Sequence, residues 1–223
     1  MIQKLLSEFL GSLFLLIVIN GVAILFSTNL GASEGEIVVI TGLIITAILF
    51  VIMEAFGRIS GAHFNPVFTL VMFFEKKITA LMSIQYVIVQ ILGGITGIML
   101  SHLIFYGEVS GILFIYEVNR PNVNYFSEFI GAVMIIYVLL VFTKWKSNKT
   151  SFVIALLIGG NILATSSTMF ANPQVTIARI FTNSVAGISP QDGLIFVVMQ
   201  VSGAVVGYLL YRIMIKKENE KQI

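Results

Sequence analysis

Apolar residues in this chain run in long stretches separated by short polar punctuation. Six stretches, at about 5–28, 36–57, 79–105, 126–145, 150–170 and 192–215, each hold roughly 20 or more mainly apolar residues. As helices they are long enough to cross a hydrocarbon core of about 30 Å. Two further apolar stretches, about 65–75 and 172–182, hold only roughly 11 residues each, the size of a re-entrant segment. Each opens on an Asn-Pro pair, Asn65-Pro66 and Asn172-Pro173. The pattern predicts an all-α membrane protein with six transmembrane helices and two re-entrant half-helices. The first stretch does not read as a signal peptide: the run is long, contains Glu8, and no small-x-small cleavage site follows it.

The pattern also repeats. Ser7-Glu8-Phe9-Leu10-Gly11 recurs as Ser127-Glu128-Phe129-Ile130-Gly131, Asn65-Pro66-Val67-Phe68-Thr69-Leu70 as Asn172-Pro173-Gln174-Val175-Thr176-Ile177, and Gln90-Ile91-Leu92-Gly93 as Gln200-Val201-Ser202-Gly203. Order and spacing agree, which predicts a duplication within one channel domain of 1–223. Its halves are about 1–106 and 120–215, and 216–223 is a short tail. Each half has three spans, an odd number, so the second half sits inverted. Inverted repeats with broken helices place a substrate path at the repeat interface near the midplane.

Composition agrees with a bilayer as solvent. Charged residues make up 11% of the chain, against about 25% in soluble domains, and mean hydropathy is +0.99. There is no cysteine, hence no disulfide framework or thiolate chemistry. A net charge of +2 is too small to point to nucleic acid. Of the 13 Lys and Arg, only Arg120 and Arg179 fall on the side opposite the termini. That asymmetry predicts cytoplasmic termini in a multi-pass cell-membrane (plasma or inner) protein, with the 107–125 loop facing outward.

Asn is a good N-cap and Pro is favoured at the first helical position. Asn65 and Asn172 are therefore expected to cap two half-helices whose N-termini carry unsatisfied N–H groups and about half a positive charge. Two such ends facing each other repel cations. The side-chain amides remain able to donate to a passing hydroxyl or water. Non-helical backbone at membrane depth is tolerated only where it is buried in protein or lines a watery cavity.

At these residues the chain resembles the aquaporin and aquaglyceroporin family of major intrinsic proteins, over essentially its whole length. Gly57-Arg58-Ile59-Ser60-Gly61-Ala62-His63-Phe64-Asn65-Pro66 is similar to the family's first pore loop, and Ser7-Glu8-Phe9-Leu10-Gly11 to its first helix. The resemblance implies a pore within each protomer, a homotetramer in the lipid bilayer, passive transport of water or small uncharged solutes, and no cofactor. The family usually reads Asn-Pro-Ala at both caps; here the third residues are Val67 and Gln174. Gln174 either adds an amide near the constriction or tucks behind the half-helix. The family's filter has an Arg three residues after the second Asn, where this chain has Val175. Counting without gaps from each Asn gives a filter of Ile45, Gly160, Met169 and Val175, with no charge and no aromatic ring. Arg179 lies about two helical turns past Asn172 and does not simply replace the missing Arg. Such a filter is expected to be wider and less polar than one selecting water. The stretch Phe170–Arg179, with Ala186-Gly187-Ile188, is similar to a subgroup linked to arsenic resistance, which extends the expected solutes to metalloid hydroxides and methylated arsenicals.

Remaining polar residues have narrower roles. Glu8 and Glu128 are expected to accept bonds from the re-entrant loop backbone rather than relay protons. Glu54 has no repeat partner and stays open. His63 fits a satisfied loop histidine or the inner vestibule. Thr165-Ser166-Ser167-Thr168 supplies hydroxyls to either a pore or helix packing, and Gly93, Gly94, Gly97, Gly203 and Gly207 have the spacing of close helix contacts. No nucleophile–base pair, metal-ligand cluster or phosphate-binding glycine loop is visible, so an enzyme is not expected. The prediction is a passive channel for small uncharged solutes and water. The alternatives are a water-selective aquaporin and, in another class, a proton-coupled transporter using Glu54 or the Glu pair.

Overall fold

The computed structural model describes residues 1–107, 111–117 and 119–220, with side chains up to Ile215. The charged tail expected at 216–223 thus lies outside the described side chains. Among the described residues eight α-helices appear in order: α1 Ile2–Ile24, α2 Glu34–Ser60, α3 Pro66–Phe74, α4 Ala80–Ile104, α5 Val123–Lys144, α6 Thr150–Ala164, α7 Pro173–Arg179 and α8 Pro190–Glu220. A π turn, Leu25–Asn29, extends α1. Five of these helices, α1, α2, α4, α5 and α8, are long and apolar enough to cross a membrane, and α3 and α7 are the two short ones after Asn-Pro.

Local sequence explains the helix ends. Ser33 and Glu36 form a reciprocal capping box at the start of α2, and Gly61 ends that helix in the left-handed conformation at φ +93°. Thr79 caps α4. The span expected at 150–170 is corrected: its helix stops at Ala164 after 15 residues, a rise of about 22 Å. Thr165 turns extended, and the hydroxyls of Thr165 and Thr168 bond to the carbonyls of Asn161 (2.7 Å) and Ser167 (2.6 Å). Such local bonds compete with helical ones, so a polar run ends the helix where hydropathy alone carries it on. The second half-helix is also shorter than the apolar stretch suggests and closes at Arg179.

Packing follows the duplication. Helix α1 lies along α4, and α5 along α8. A Cβ built on Gly93 would stand 2.3 Å from the Phe9 carbonyl oxygen, and one on Gly203 would stand 2.3 Å from that of Phe129. One turn on, Gly97 and Gly207 meet the carbonyls of Leu13 and Val133 at 2.6 and 2.7 Å in the same sense. The glycines let backbones touch, which is how helices gain contact where lipid is as apolar as leucine. The half-helices tie the halves together: α7 packs against α4 as well as α8, and α3 against α8 as well as α4. Buried aliphatics form two cores, one around Leu15, Ile45, Ile98 and Ile162, the other around Val67, Val71, Ile136 and Leu140.

Gly93→Ala and Gly203→Ala are each expected to destabilise the protein by about 1–3 kcal/mol, because the neighbouring atom is backbone and cannot swing aside. Gly35→Ala, whose Cβ would meet nothing within 4 Å, serves as the neutral control. Thermal unfolding of the detergent-solubilised variants measures the difference; equal melting of all three would remove the close-contact account.

Candidate functional site

The two Asn-Pro sites have matching geometry. Asn65 Oδ1 accepts from the Val67 N–H at 3.0 Å, and Asn172 Oδ1 from the Gln174 N–H at 3.1 Å. Pro66 and Pro173 hold the first helical positions. Each Asn also reaches across to the other loop: Asn65 Nδ2 donates to the Ala171 carbonyl at 3.0 Å, and Asn172 Nδ2 to the Phe64 carbonyl at 2.8 Å. The half-helix N-termini therefore meet head to head. Each amide NH₂ has two hydrogens, and one remains for a solute.

The loops that deliver these caps are strained in the same way. Ala62 and Phe64 have φ of +49° and +43°; Met169 and Ala171, at the same offsets from Asn172, have +34° and +39°. Non-glycine residues seldom adopt this region, and each such residue costs on the order of 1–3 kcal/mol. Buried carboxylates hold the turns. Glu8 accepts from the His63 and Phe64 N–H groups at 2.9 and 2.8 Å, and Glu128 from Phe170 and Ala171 at 2.9 and 2.8 Å. Gln90 Nε2 donates to Glu8 at 2.8 Å and to Thr69 Oγ1 at 3.0 Å; Gln200 Nε2 donates to Glu128 at 2.6 Å and to Thr176 Oγ1 at 2.8 Å. With both carboxylate oxygens engaged, neither Glu is left open as a carrier on a proton path. Glu54, the other carboxylate considered for that task, is exposed on α2.

A cavity of about 440 Å³ runs from Asn65 and Asn172 to the mouth on the face opposite the termini. Its middle is aliphatic: Ile45 and Leu49 from α2, Ile135 from α5, Ile158 and Ile162 from α6, and Val175 from α7. The filter expected from ungapped counting is corrected at Gly160, which is exposed and does not line the cavity. Ile158 and Ile162 share one helical face, and Gly160 points about 200° away from Ile158. Eight non-helical residues, 165–172, separate α6 from α7, so helical phase is lost in the count. Met169 lines the cavity, with its Sδ and Cγ 3.0 Å from where a Cβ on Gly131 would stand. Gln174 is fully buried, tucked behind the half-helix with Oε1 2.3 Å from where a Cβ on Gly94 would stand, and Val67 is packed in the second core. Neither borders the cavity. His63 is likewise absent from the lining. Its Nδ1 lies 3.1 Å from Thr69 Oγ1 and its ring sits edge-on to Tyr86.

The polar run before the second cap divides by alternation. Ser166 and Thr168 border the cavity, while Ser167 bonds to Ser127 at 3.1 Å and Thr165 to its own helix. At the mouth, Arg179 lies with its guanidinium 3.5 Å from the Phe170 ring centre and donates through Nε to the Ala186 carbonyl. Arg120 reaches the same ring at 5.7 Å and donates to the Gly187 carbonyl at 2.7 Å. Tyr116 and Glu34 complete the rim. Arg120, Tyr116, Ile158 and Ile162 escape a motif-based reading, and Phe170 enters it only as part of a longer stretch. The loop that carries Tyr116 and Arg120 has no periodicity, and its pairing with residues 180–181, together with the bonds of Arg120 to Asp192 and Gly187, brings it over the path.

A family model described as "Major intrinsic protein" matches residues 1–171. The chain belongs to the major intrinsic protein family. The match ends just before Asn172, where Gln174 and Val175 depart from the usual pattern. The aquaglyceroporin AqpS of Rhizobium meliloti (strain 1021) is 31% identical over 210 residues, which cover 94% of this chain and 89% of that protein. Aquaporin-4 of Mus musculus is 29% identical over 216 residues, 92% of this chain and 65% of its own length. The X-ray structure of the aquaglyceroporin from Plasmodium falciparum superposes with a TM-score of 0.71 at 19% identity, covering 100% of this chain and 99% of that one. The fold is that of the aquaporins. As a major intrinsic protein the chain is an integral membrane channel for passive movement of small solutes and not an enzyme.

Glu128→Gln replaces an acceptor that receives three N–H groups with an amide that turns NH₂ toward one of them. A hydrogen bond to a charged group contributes about 1.5–3 kcal/mol. The variant is expected to be less stable by about that amount, to melt at lower temperature, and to lose channel flux in proteoliposomes. Wild-type stability in Glu128→Gln would rule out the carboxylate as the clamp.

Proposed function

We propose that this protein is a passive channel for small uncharged solutes bulkier than water. Glycerol-like polyols, metalloid hydroxides such as trihydroxyarsenic, and methylated arsenicals are the candidate classes, and water accompanies them. The observation that carries this reading is the aliphatic middle of the cavity, with Val175 where the family's filter has an Arg. Selectivity for water rests on a narrow passage with fixed polar donors. Ile45, Met169 and Val175, with Ile158 and Ile162 in place of Gly160, supply neither charge nor a side-chain donor. A solute with several hydroxyls finds donors at Asn65 and Asn172 and apolar wall on its carbon or arsenic side. The similarity to a relative named as an aquaglyceroporin supports the polyol class.

In this reading, residues 1–223 form one channel domain whose halves, about 1–106 and 120–215, meet at the Asn65–Asn172 contact. Asn65, Pro66 and Val67, and Asn172, Pro173 and Gln174, shape the two half-helix starts. Glu8, Glu128 and His63 support the loops, and Arg179 stands at the mouth. The excess of Lys and Arg near the termini supports a cytoplasmic location for both ends in the cell membrane. The family resemblance supports a homotetramer with one pore per protomer.

Stopped-flow light scattering on proteoliposomes tests the proposal with water, glycerol and trihydroxyarsenic against empty liposomes. Solute-driven reswelling well above the control is expected. Fast water flux without solute flux would overturn the wide-filter reading. Val175→Arg is expected to cut glycerol-sized flux by about tenfold, equivalent to about 1.4 kcal/mol, while sparing water; unchanged glycerol flux would remove Val175 from the filter. Gln174→Ala, which alters no cavity-lining side chain, is expected to leave the order of solute permeabilities unchanged.

A further inference from the structure

We infer that the mouth of the cavity is a binding site for small monovalent oxyanions, formed by Arg179 and Arg120 over Phe170. The inference rests on the channel reading for its consequence, since an anion held there stands in the path of neutral solutes.

Arg179 is 8% exposed and lines the cavity. Its Nε is engaged by the Ala186 carbonyl, yet among the described residues its terminal nitrogens have no acceptor. Arg120 uses Nη2 on the Gly187 carbonyl and leaves Nε and Nη1 free in the same set. Both guanidiniums share one aromatic ring, at 3.5 and 5.7 Å from its centre, and are close enough to repel each other. Among the described residues no carboxylate lies within 4.0 Å of either guanidinium; the ion pair in that set is Arg212 with Glu75, elsewhere in the fold. The neighbouring acids do not fill the gap. Asp192 is held by Ser189, Tyr125 and the Arg120 N–H, Glu128 by the loop and Gln200, and Glu34 is exposed at the rim.

A buried guanidinium beside a second one, with no carboxylate bonded to either among the described residues, is costly, and burial of a charge is tolerated when it is paired and hydrogen-bonded. A guanidinium offers a planar fork of N–H donors that matches the O–X–O edge of a carboxylate, sulfonate or arsinate. The cavity of about 440 Å³ has room for such an ion with its water, a water occupying about 30 Å³. Onward passage is barred: Ile158, Ile162 and Val175 would strip the anion's hydration and offer no donor in return. The anion therefore stays at the mouth and obstructs neutral solutes. Arg179 follows Val175 by four residues, about one turn further along α7.

The test uses sodium methanesulfonate, which keeps its charge near neutral pH, equilibrated on both sides of proteoliposomes so that protein orientation does not matter. Glycerol-driven reswelling is measured with and without the salt at matched osmolarity. For wild type, flux is expected to fall with half-inhibition on the order of 1 mM. Arg120→Gln and Arg179→Lys are each compared with their own salt-free rate, and each is expected to raise the half-inhibiting concentration at least about tenfold, a loss of one fork or one charge. Inhibition equal in all three proteins, or none in wild type with glycerol flux intact, would overturn the anion site and leave the channel reading standing. If wild type carries no glycerol at all, the channel reading fails instead. Calorimetric titration of the detergent-solubilised protein with methanesulfonate then decides the site alone: saturable binding lost in Arg120→Gln supports it, and its absence in wild type sinks it.

Discussion

Two buried carboxylates hold this structure at its centre. Glu8 and Glu128 each take two adjacent backbone N–H groups from a loop that hydropathy would otherwise keep out of the membrane. Those loops carry left-handed non-glycine residues at matching positions, a conformation that persists only where the surroundings over-determine it. Gln90 and Gln200 keep the carboxylates oriented. Once the loops are set, Asn65 and Asn172 can cap their half-helices and reach across to the carbonyls of Ala171 and Phe64 in the opposite loop. The helix packing serves the same end: glycine contacts between α1 and α4, and between α5 and α8, bring each Glu-bearing helix close to its Gln-bearing partner.

Electrostatics along the path change in kind from centre to mouth. At the centre the positive charge is fractional, made of helix N-termini and amide hydrogens. The aliphatic middle has no charge and acts through dehydration. At the mouth the charge is whole, on two guanidiniums stacked over Phe170. In the proposed reading cations are opposed at both ends of the cavity and anions in its middle, which leaves the lowest barrier to neutral solutes. Where the family's filter has an Arg, this chain has Val175, and positive charge stands further toward the mouth, where it acts on what enters more than on what fits.

Tertiary contacts decided residues that motifs left open. Gln174 sits beside the second cap and reads as a candidate pore amide, yet its side chain is buried against Gly94. The hydroxyl run splits, with Ser166 and Thr168 toward the cavity and Ser167 and Thr165 into packing. Glu54, the unmatched carboxylate, lies on an exposed helix face. In each case the chain position was equal for both outcomes and only the neighbouring helix discriminated.

What the sequence by itself determined was the set of features that depend on local order: the number and order of the helices, the two Asn-Pro caps, and the inverted halves that follow from odd span counts. These are legible because span length, capping and duplication are written in neighbouring residues. The carboxylate clamps were legible for the same reason, since Glu8 and Glu128 recur at the same offset within the repeated motif. What only the tertiary structure decided was which side chains face one another across the path. Ile158 and Ile162 replace Gly160 at the wall because an eight-residue non-helical link breaks the phase between α6 and α7. Arg120 joins Arg179 because the loop before α5 pairs with the chain after α7. Rotational phase and long-range loop pairing arise from packing between segments distant in the chain, and no local pattern encodes them.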